Sequence, residues 1–140
     1  KLLADAWRMA QEIDMAIPVL EKAAKMSKDG DTYVLLGNLY LFEDRMEDSI
    51  RAIESGLKKP KVKSRSQALL VLGQAHFELQ NFEEAKKQFR AAARDKNKRI
   101  KKTANSWIKY AENEEVRVKN LALRRDFIQQ SKAKSKEKNS

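Results

Sequence analysis

The chain has no cysteine, which removes a disulfide framework, a thiol nucleophile and any thiolate metal site. Its one histidine, His76, excludes multi-histidine zinc centres and leaves little for a catalytic triad. Only 4 glycines and 2 prolines occur in 140 residues, and the glycines stand singly, so no glycine-rich phosphate loop is present. Long apolar runs are missing too. The longest aliphatic stretch is Leu69-Leu70-Val71-Leu72, far short of the roughly 20 residues that cross a bilayer. No alternating β-branched run offers a strand. What is there is 41% apolar and 36% charged residues, too apolar for a disordered chain and suited to one domain or a short array of repeats. Position 1 is Lys rather than Met, which implies a fragment and makes the lack of a signal peptide uninformative.

Charge is abundant but unevenly spread. The net charge is +10, yet residues 1–57 hold 7 Lys/Arg against 11 Asp/Glu, while residues 58–140 hold 23 against 9. An acidic front joined to a basic back suits docking to an acidic protein, nucleic acid or an anionic surface, or simply keeps the molecule solvated.

An internal repeat organises the chain. Trp7, Tyr40 and His76 each precede a small residue, Ala16, Ser49 and Ala85, by 9 positions. A large residue follows 4 positions later each time: Leu20, Ile53 and Phe89. The period is 33 residues and then 36, the excess falling in the connector Lys58–Ser66. Sterics explain the pattern. Gly37 and Gly73, with Ala4 in the first copy, let a second helix approach closely, and Ser49 and Ala85 are the small residues facing them. Close antiparallel helix pairs follow, each with apolar flanks that only a neighbouring pair can cover.

Punctuation agrees with helices. Asp29-Gly30-Asp31 joins a helix stop to a helix start. Asp44-Arg45 and Gln80-Asn81 fall at the turns within pairs, and Ser64 or Ser66 can cap the next helix. Pro18 requires its helix to start near Asp14, within the first turn. Beyond Phe89, the stripe Ile100, Ala104, Trp107, Ala111, Val118, Leu121 predicts one long helix; the stripe is interrupted at Glu114, and the mostly polar distal part could pair with a partner or a second copy. Residues 129–140 carry no apolar side chain larger than Ala133 and are expected to be disordered.

Leu36-Gly37-Asn-Leu-Tyr40 with Ser49 and Ile53, and Leu72-Gly73 with Ala85 and Phe89, resemble the tetratricopeptide repeat, whose signature is W-x2-L-G-x2-Y…A-x3-F…P. The resemblance covers about residues 2–98. It implies an all-α, antiparallel helix-pair solenoid, a right-handed superhelix closed by a C-terminal capping helix. The array would span 1–98, divided into a truncated repeat 1–29 and repeats 30–65 and 66–98, with the cap at 99–128 and a basic tail at 129–140. The stretches Ala16-Ile-Pro-Val-Leu-Glu-Lys-Ala-Ala24 and Phe89-Arg-Ala-Ala-Ala-Arg-Asp95, with Trp107-Ile-Lys-Tyr110, are also similar to gammaproteobacterial repeat proteins encoded beside the TonB–ExbB–ExbD system. That narrower resemblance implies a periplasmic interaction component, with the cytoplasm as the alternative, and no catalytic residue.

The repeat resemblance implies a partner-binding groove lined by the first helix of each pair. Its positions fall on Asp31, Val34, Asn38, Leu41 and Phe42, then on Gln67, Leu70, Gln74, Phe77 and Glu78. Arg8 and Met9 come from the truncated copy, and Ile108 and Glu112 from the cap. Amides would bond a peptide backbone while Phe42 and Phe77 grip a side chain, unless those two rings pack between repeats instead. Val34, Gln67 and Val71 stand where a carboxylate-clamping repeat carries cations, so that mode is not expected. Lys58, Lys59, Lys61, Lys63 and Arg65, with Lys98, Arg99, Lys101 and Lys102, form a basic edge that could steer an acidic partner or, in the alternative reading, bind nucleic acid or an anionic surface. No aromatic is interleaved in either basic segment for base stacking. His76 occupies a tyrosine position of the repeat and reads as a half-buried structural imidazole, and no catalytic, cofactor or metal site is expected.

Overall fold

Among residues 2–139, which a computed structural model describes, six helices follow one another and no strand occurs. They are α1 (Leu2–Met26), α2 (Asp31–Phe42), α3 (Met46–Leu57), α4 (Arg65–Glu78), α5 (Phe82–Ala92) and α6 (Lys98–Lys138). The fold is all-α, as the absence of alternating β-branched residues predicts. α2 packs on α3 and α4 on α5 as helix pairs, while α2 also touches α4 and α4 touches α6. The first helices therefore form one inner layer, α2–α4–α6, backed by α3 and α5.

The two turns within pairs are built alike. The Tyr40 carbonyl accepts from the Arg45 amide at 2.8 Å, and the His76 carbonyl accepts from the Asn81 amide at 2.9 Å. Asp44 (φ 62°) and Gln80 (φ 61°) take the left-handed conformation that closes the helix end. A side chain there costs roughly 1–2 kcal/mol, offset by satisfying carbonyls that the helix leaves without donors.

Inside each pair, a missing side chain sets the spacing. A Cβ on Gly73 would lie 2.5 Å from the Phe89 ring, and one on Gly37 would lie 2.4 Å from the Ile53 side chain. Ser49 is fully buried and donates its hydroxyl to the Gly37 carbonyl at 2.8 Å, so its polar atom has a partner inside the pair.

The core is a row of three clusters, each shared by three successive helices. Ile17, Leu36, Tyr40 and Ala52 join α1 to the first pair. Val34, Ile53, Ala68, Val71 and Leu72 join the first pair to α4. Leu70, Ala85, Phe89, Ala92 and Ala104 join the second pair to α6. Each pair leaves an apolar flank that its neighbour buries, which is the economy of a solenoid.

Two expectations are corrected. The truncated copy at 1–29 does not turn near Asp14: α1 is one continuous helix with Pro18 inside it. Trp7 has the spacing of Tyr40 but is exposed, because no earlier pair lies against it among the described residues. Without that burial the strong helix formers Met9, Ala10, Gln11 and Glu12 continue as helix, and Pro18 leaves the Asp14 carbonyl without its amide donor. The tail expected to be disordered instead prolongs α6 to Lys138, solvent-exposed from Lys119 onward. Lys and Ala favour helix there, and an established helix adds residues without a new nucleus.

Candidate functional site

The expected groove divides into residues that face solvent and residues the fold has already used. Val34 (4% exposed) and Leu70 (5% exposed) belong to the core and cannot line a groove. Both lie one side-chain step round their helices, toward the next pair, and the repeat's packing claims them. Leu41 is half-buried against the middle cluster. Asp31 is occupied as well: its carboxylate accepts from the Ser64 hydroxyl at 2.9 Å, the Ser64 amide at 3.2 Å and the Lys63 amide at 3.4 Å. These bonds, the Ser64 hydroxyl first, hold the Asp31 carboxyl below the usual carboxylate range.

Phe77 is a packing residue. Its ring meets Phe82 and Trp107 edge-to-face at 5.8 Å and lies tilted on Tyr110 at 5.1 Å, tying α4 to α5 and α6. Phe42 is different: it is 67% exposed. The pairing of Phe42 with Phe77 as two grips is therefore overturned, and Phe42 alone is free to touch a partner. Asn38, Gln67 and Glu78 are exposed and Gln74 is half-buried, leaving an amide-rich row beside Phe42 on the inner layer. Arg8, Met9 and Glu112 are also exposed, whereas Ile108 packs against the last core cluster.

The connectors between pairs are tied into a ladder. The Gly30 amide donates to the Lys61 carbonyl at 2.8 Å, and Asp31 holds Ser64 as described. At the next step the Ser66 hydroxyl donates to the Asp95 carboxylate. The expected helix caps are therefore spent sideways: neither Ser64 nor Ser66 caps α4, because each bonds the preceding or following connector instead. Lys59 departs from the basic edge. It is half-buried, donates to the Lys25 and Ser27 carbonyls at 3.3 and 3.0 Å, and so caps α1. Lys58, Lys61, Lys63, Arg65, Lys98, Arg99, Lys101 and Lys102 are exposed.

One internal correspondence is not part of the groove expected above. Ile100, Ala104 and Trp107 stand 31 residues after Leu69, Gly73 and His76, and Ala104 is fully buried where Gly73 is. The first turns of α6 thus repeat the register of α4. At the same offset, Lys98, Lys101, Asn105 and Lys109 answer to Gln67, Leu70, Gln74 and Glu78. Lys98 and Lys101 belong by register to the inner layer as well as to the basic edge. The signal was present in Ile100-x2-Thr103-Ala104-x2-Trp107, hidden because Thr103 and Ala104 replace the leucine and glycine.

His76 is half-buried, and its Nδ1 has no hydrogen-bond partner among the described residues. Tyr40, its counterpart, donates its hydroxyl to the Glu21 carboxylate and joins α2 to α1. Burial, then that bond to an anion, push the Tyr40 hydroxyl up to about 12. Lys86, only 8% exposed, bridges Glu83 at 3.0 Å and Glu115 at 3.1 Å and so ties α5 to α6.

No helix among the described residues is long and apolar enough to cross a membrane. Among curated proteins, none matches this chain. Residues 66–94, which span α4, α5 and the turn between them, match the family model of the tetratricopeptide repeat. The chain is an all-α helix-pair solenoid that carries a tetratricopeptide repeat at these residues.

Proposed function

We propose that the chain is a protein–protein interaction module that holds a peptide segment or partner domain against the inner layer α2–α4–α6. Tetratricopeptide repeats generally mediate contacts between proteins. The observation that carries the reading is Phe42: a large aromatic left 67% exposed on the inner layer, beside exposed Asn38 and amide-bearing α4, whereas Phe77 on the neighbouring inner helix is packed against three rings. Exposed aromatics of this kind anchor interfaces, and amides beside them can bond a partner's backbone. Repeats 30–65 and 66–98 supply this surface, and α6 closes the array.

The test is capture of partners on immobilised protein, wild type against Phe42→Ala. Loss of a specific partner with unchanged helicity supports the module; an unchanged partner set removes Phe42 and with it the groove. Phe77 is unsuitable for this comparison because its loss would disturb the α4–α6 packing. A finer form of the proposal, from the resemblance in its Ala16–Ala24 and Phe89–Tyr110 stretches, is service to a TonB–ExbB–ExbD system in the periplasm. Co-purification with those components from a cell that has them would support it, and their absence from the capture would discard it. Binding to nucleic acid through the basic edge is the competing outcome. It would be recognised by an affinity that falls steeply with salt.

A further inference from the structure

Several cations of this chain are engaged. Arg45 and Arg51 hold Asp48, Arg117 holds Glu114, and Lys86 lies between two glutamates. The lysines on the first three turns of α6 are, like most cations of the chain, outside these pairs, and here they cluster on one helix. Among the described residues, Lys98, Lys101, Lys102 and Lys109 form no ion pair, and all four are exposed. They fall within 12 residues of one helix, a length of about 18 Å. Like charges three and four residues apart repel, a small cost that an anionic partner would relieve.

The lysines surround a shallow depression of 420 Å³ lined also by Asn105 and Ser106, which can donate hydrogen bonds. A second depression of 390 Å³ adjoins it, sharing Lys102 and Ser106, with Trp107 and Tyr110 as its wall. Tyr110 is 52% exposed there. Cationic and aromatic surfaces thus lie side by side on the helix that repeats the register of α4.

Resting on the peptide-binding reading above, we propose that this face of α6 is the docking site for an acidic protein segment. Its carboxylates would lie on Lys98, Lys102 and Lys109, and an apolar side chain between them would enter the depression beside Trp107 and Tyr110. Charge complementarity selects an acidic ligand, and the rings select a peptide over the other polyanions. Trp107 is stacked on Phe89 at 5.4 Å and met edge-to-face by Phe77 and Tyr110, while Tyr110 lies on Phe77. Their faces are committed to one another, which leaves a wall for a side chain rather than a platform for a base. The aliphatic residues of these turns, Ile100 and Ile108, pack on the core and cannot enter an acyl layer. Inner helices pack roughly 8–10 Å apart, so Phe42 on α2 and Lys109, which shares its register on α6, are about 20 Å apart, a span of about six extended residues. One segment can engage both.

The experiment titrates a short synthetic peptide of mixed Glu and Asp with one central Phe into the Trp7→Phe protein, reading Trp107 emission. The expected result is a saturable change, with Kd raised about tenfold or more by Lys102→Glu plus Lys109→Glu. Lys134→Glu plus Lys136→Glu, equal in net charge but on the exposed end of α6, should leave Kd within about twofold. Equal weakening by both pairs, no response to the peptide, or tighter binding of single-stranded RNA or of phosphatidylserine vesicles would overturn the site. Phe42→Ala separates the two proposals. Loss with the lysine pair but not with Phe42→Ala keeps the α6 site and removes the α2 groove. Loss with Phe42→Ala alone overturns the α6 site and leaves the groove.

Discussion

A single hydrogen at Gly73 sets how closely α4 and α5 approach. In an exposed helix Gly→Ala gains about 1 kcal/mol of propensity. Here the added methyl would meet the fully buried Phe89 ring at 2.5–2.8 Å, and that ring is itself stacked on Trp107. Overpacking of this kind costs about 1–3 kcal/mol, so the clash wins. Gly73→Ala is expected to lower stability in urea denaturation; a gain would show that the pair can spread at no cost. Two phenylalanines make a second comparison. Phe77→Ala should destabilise by about 3 kcal/mol or more, because its ring joins three helices. Phe42→Ala should change stability by less than about 0.5 kcal/mol, because its ring is exposed. Equal losses at the two sites would contradict their assignment to packing and to recognition.

Helices and connectors are linked by groups whose ionisation the fold has shifted, so their contributions depend on pH. Asp31 and Asp95 are depressed chiefly by the Ser64 and Ser66 hydroxyls. A depressed carboxyl binds its proton less readily folded than unfolded. Its stabilisation is complete above about pH 4 and disappears as pH falls through the folded value. Tyr40 and Lys86 have the opposite sign. Tyr40 is pushed up to about 12, and Lys86 is raised by Glu83 and then Glu115. Their stabilisation is complete below the unfolded values near pH 10 and is lost as pH rises above them. For the well-buried Tyr40 the loss between pH 10 and 12 should be on the order of 2 kcal/mol. Thermal melts of Tyr40→Phe should show a smaller alkaline decline than the wild type. An identical decline would mean that the hydroxyl does not titrate differently in the two states.

Across the whole molecule, stability passes from pair to pair through shared clusters, and α6 contributes only where it touches α5 and α4. Its N-terminal turns bury Ala104 and Ala111, whereas residues from Lys119 onward are exposed on every side. A chain ending at Asn120 should melt within a degree or so of the full one, the change staying under about 0.5 kcal/mol. A chain ending at Asn97 would uncover Phe89 and Leu70, and should lose cooperative unfolding of the second pair. If the shorter deletion proved as damaging as the longer, the exposed end of α6 would have a partner, and Leu123 and Phe127 would be the residues to examine.

The repeat, the helix class and the turns at Asp44 and Gln80 were legible in the chain itself, because spacing and residue size determine which side chains share a helix face. The close approach at Gly37 and Gly73 follows from that periodicity, but it names Ser49 and Ala85 as the facing residues, whereas the Ile53 and Phe89 side chains fill the space that the glycines leave. The groove was not legible to the same degree. Register identifies which helix face a residue occupies but not whether a neighbouring helix covers it: Val34 and Leu70 share register with exposed Lys101 yet are buried, and Phe77 adjoins exposed Glu78 yet is packed. Trp7 fails in the opposite sense, since its spacing matches Tyr40 but nothing among the described residues lies against it. Local pattern determines the helices and their pairing. Which apolar and charged residues remain available to another molecule depends on contacts between helices far apart in the chain, and only the assembled stack settles that.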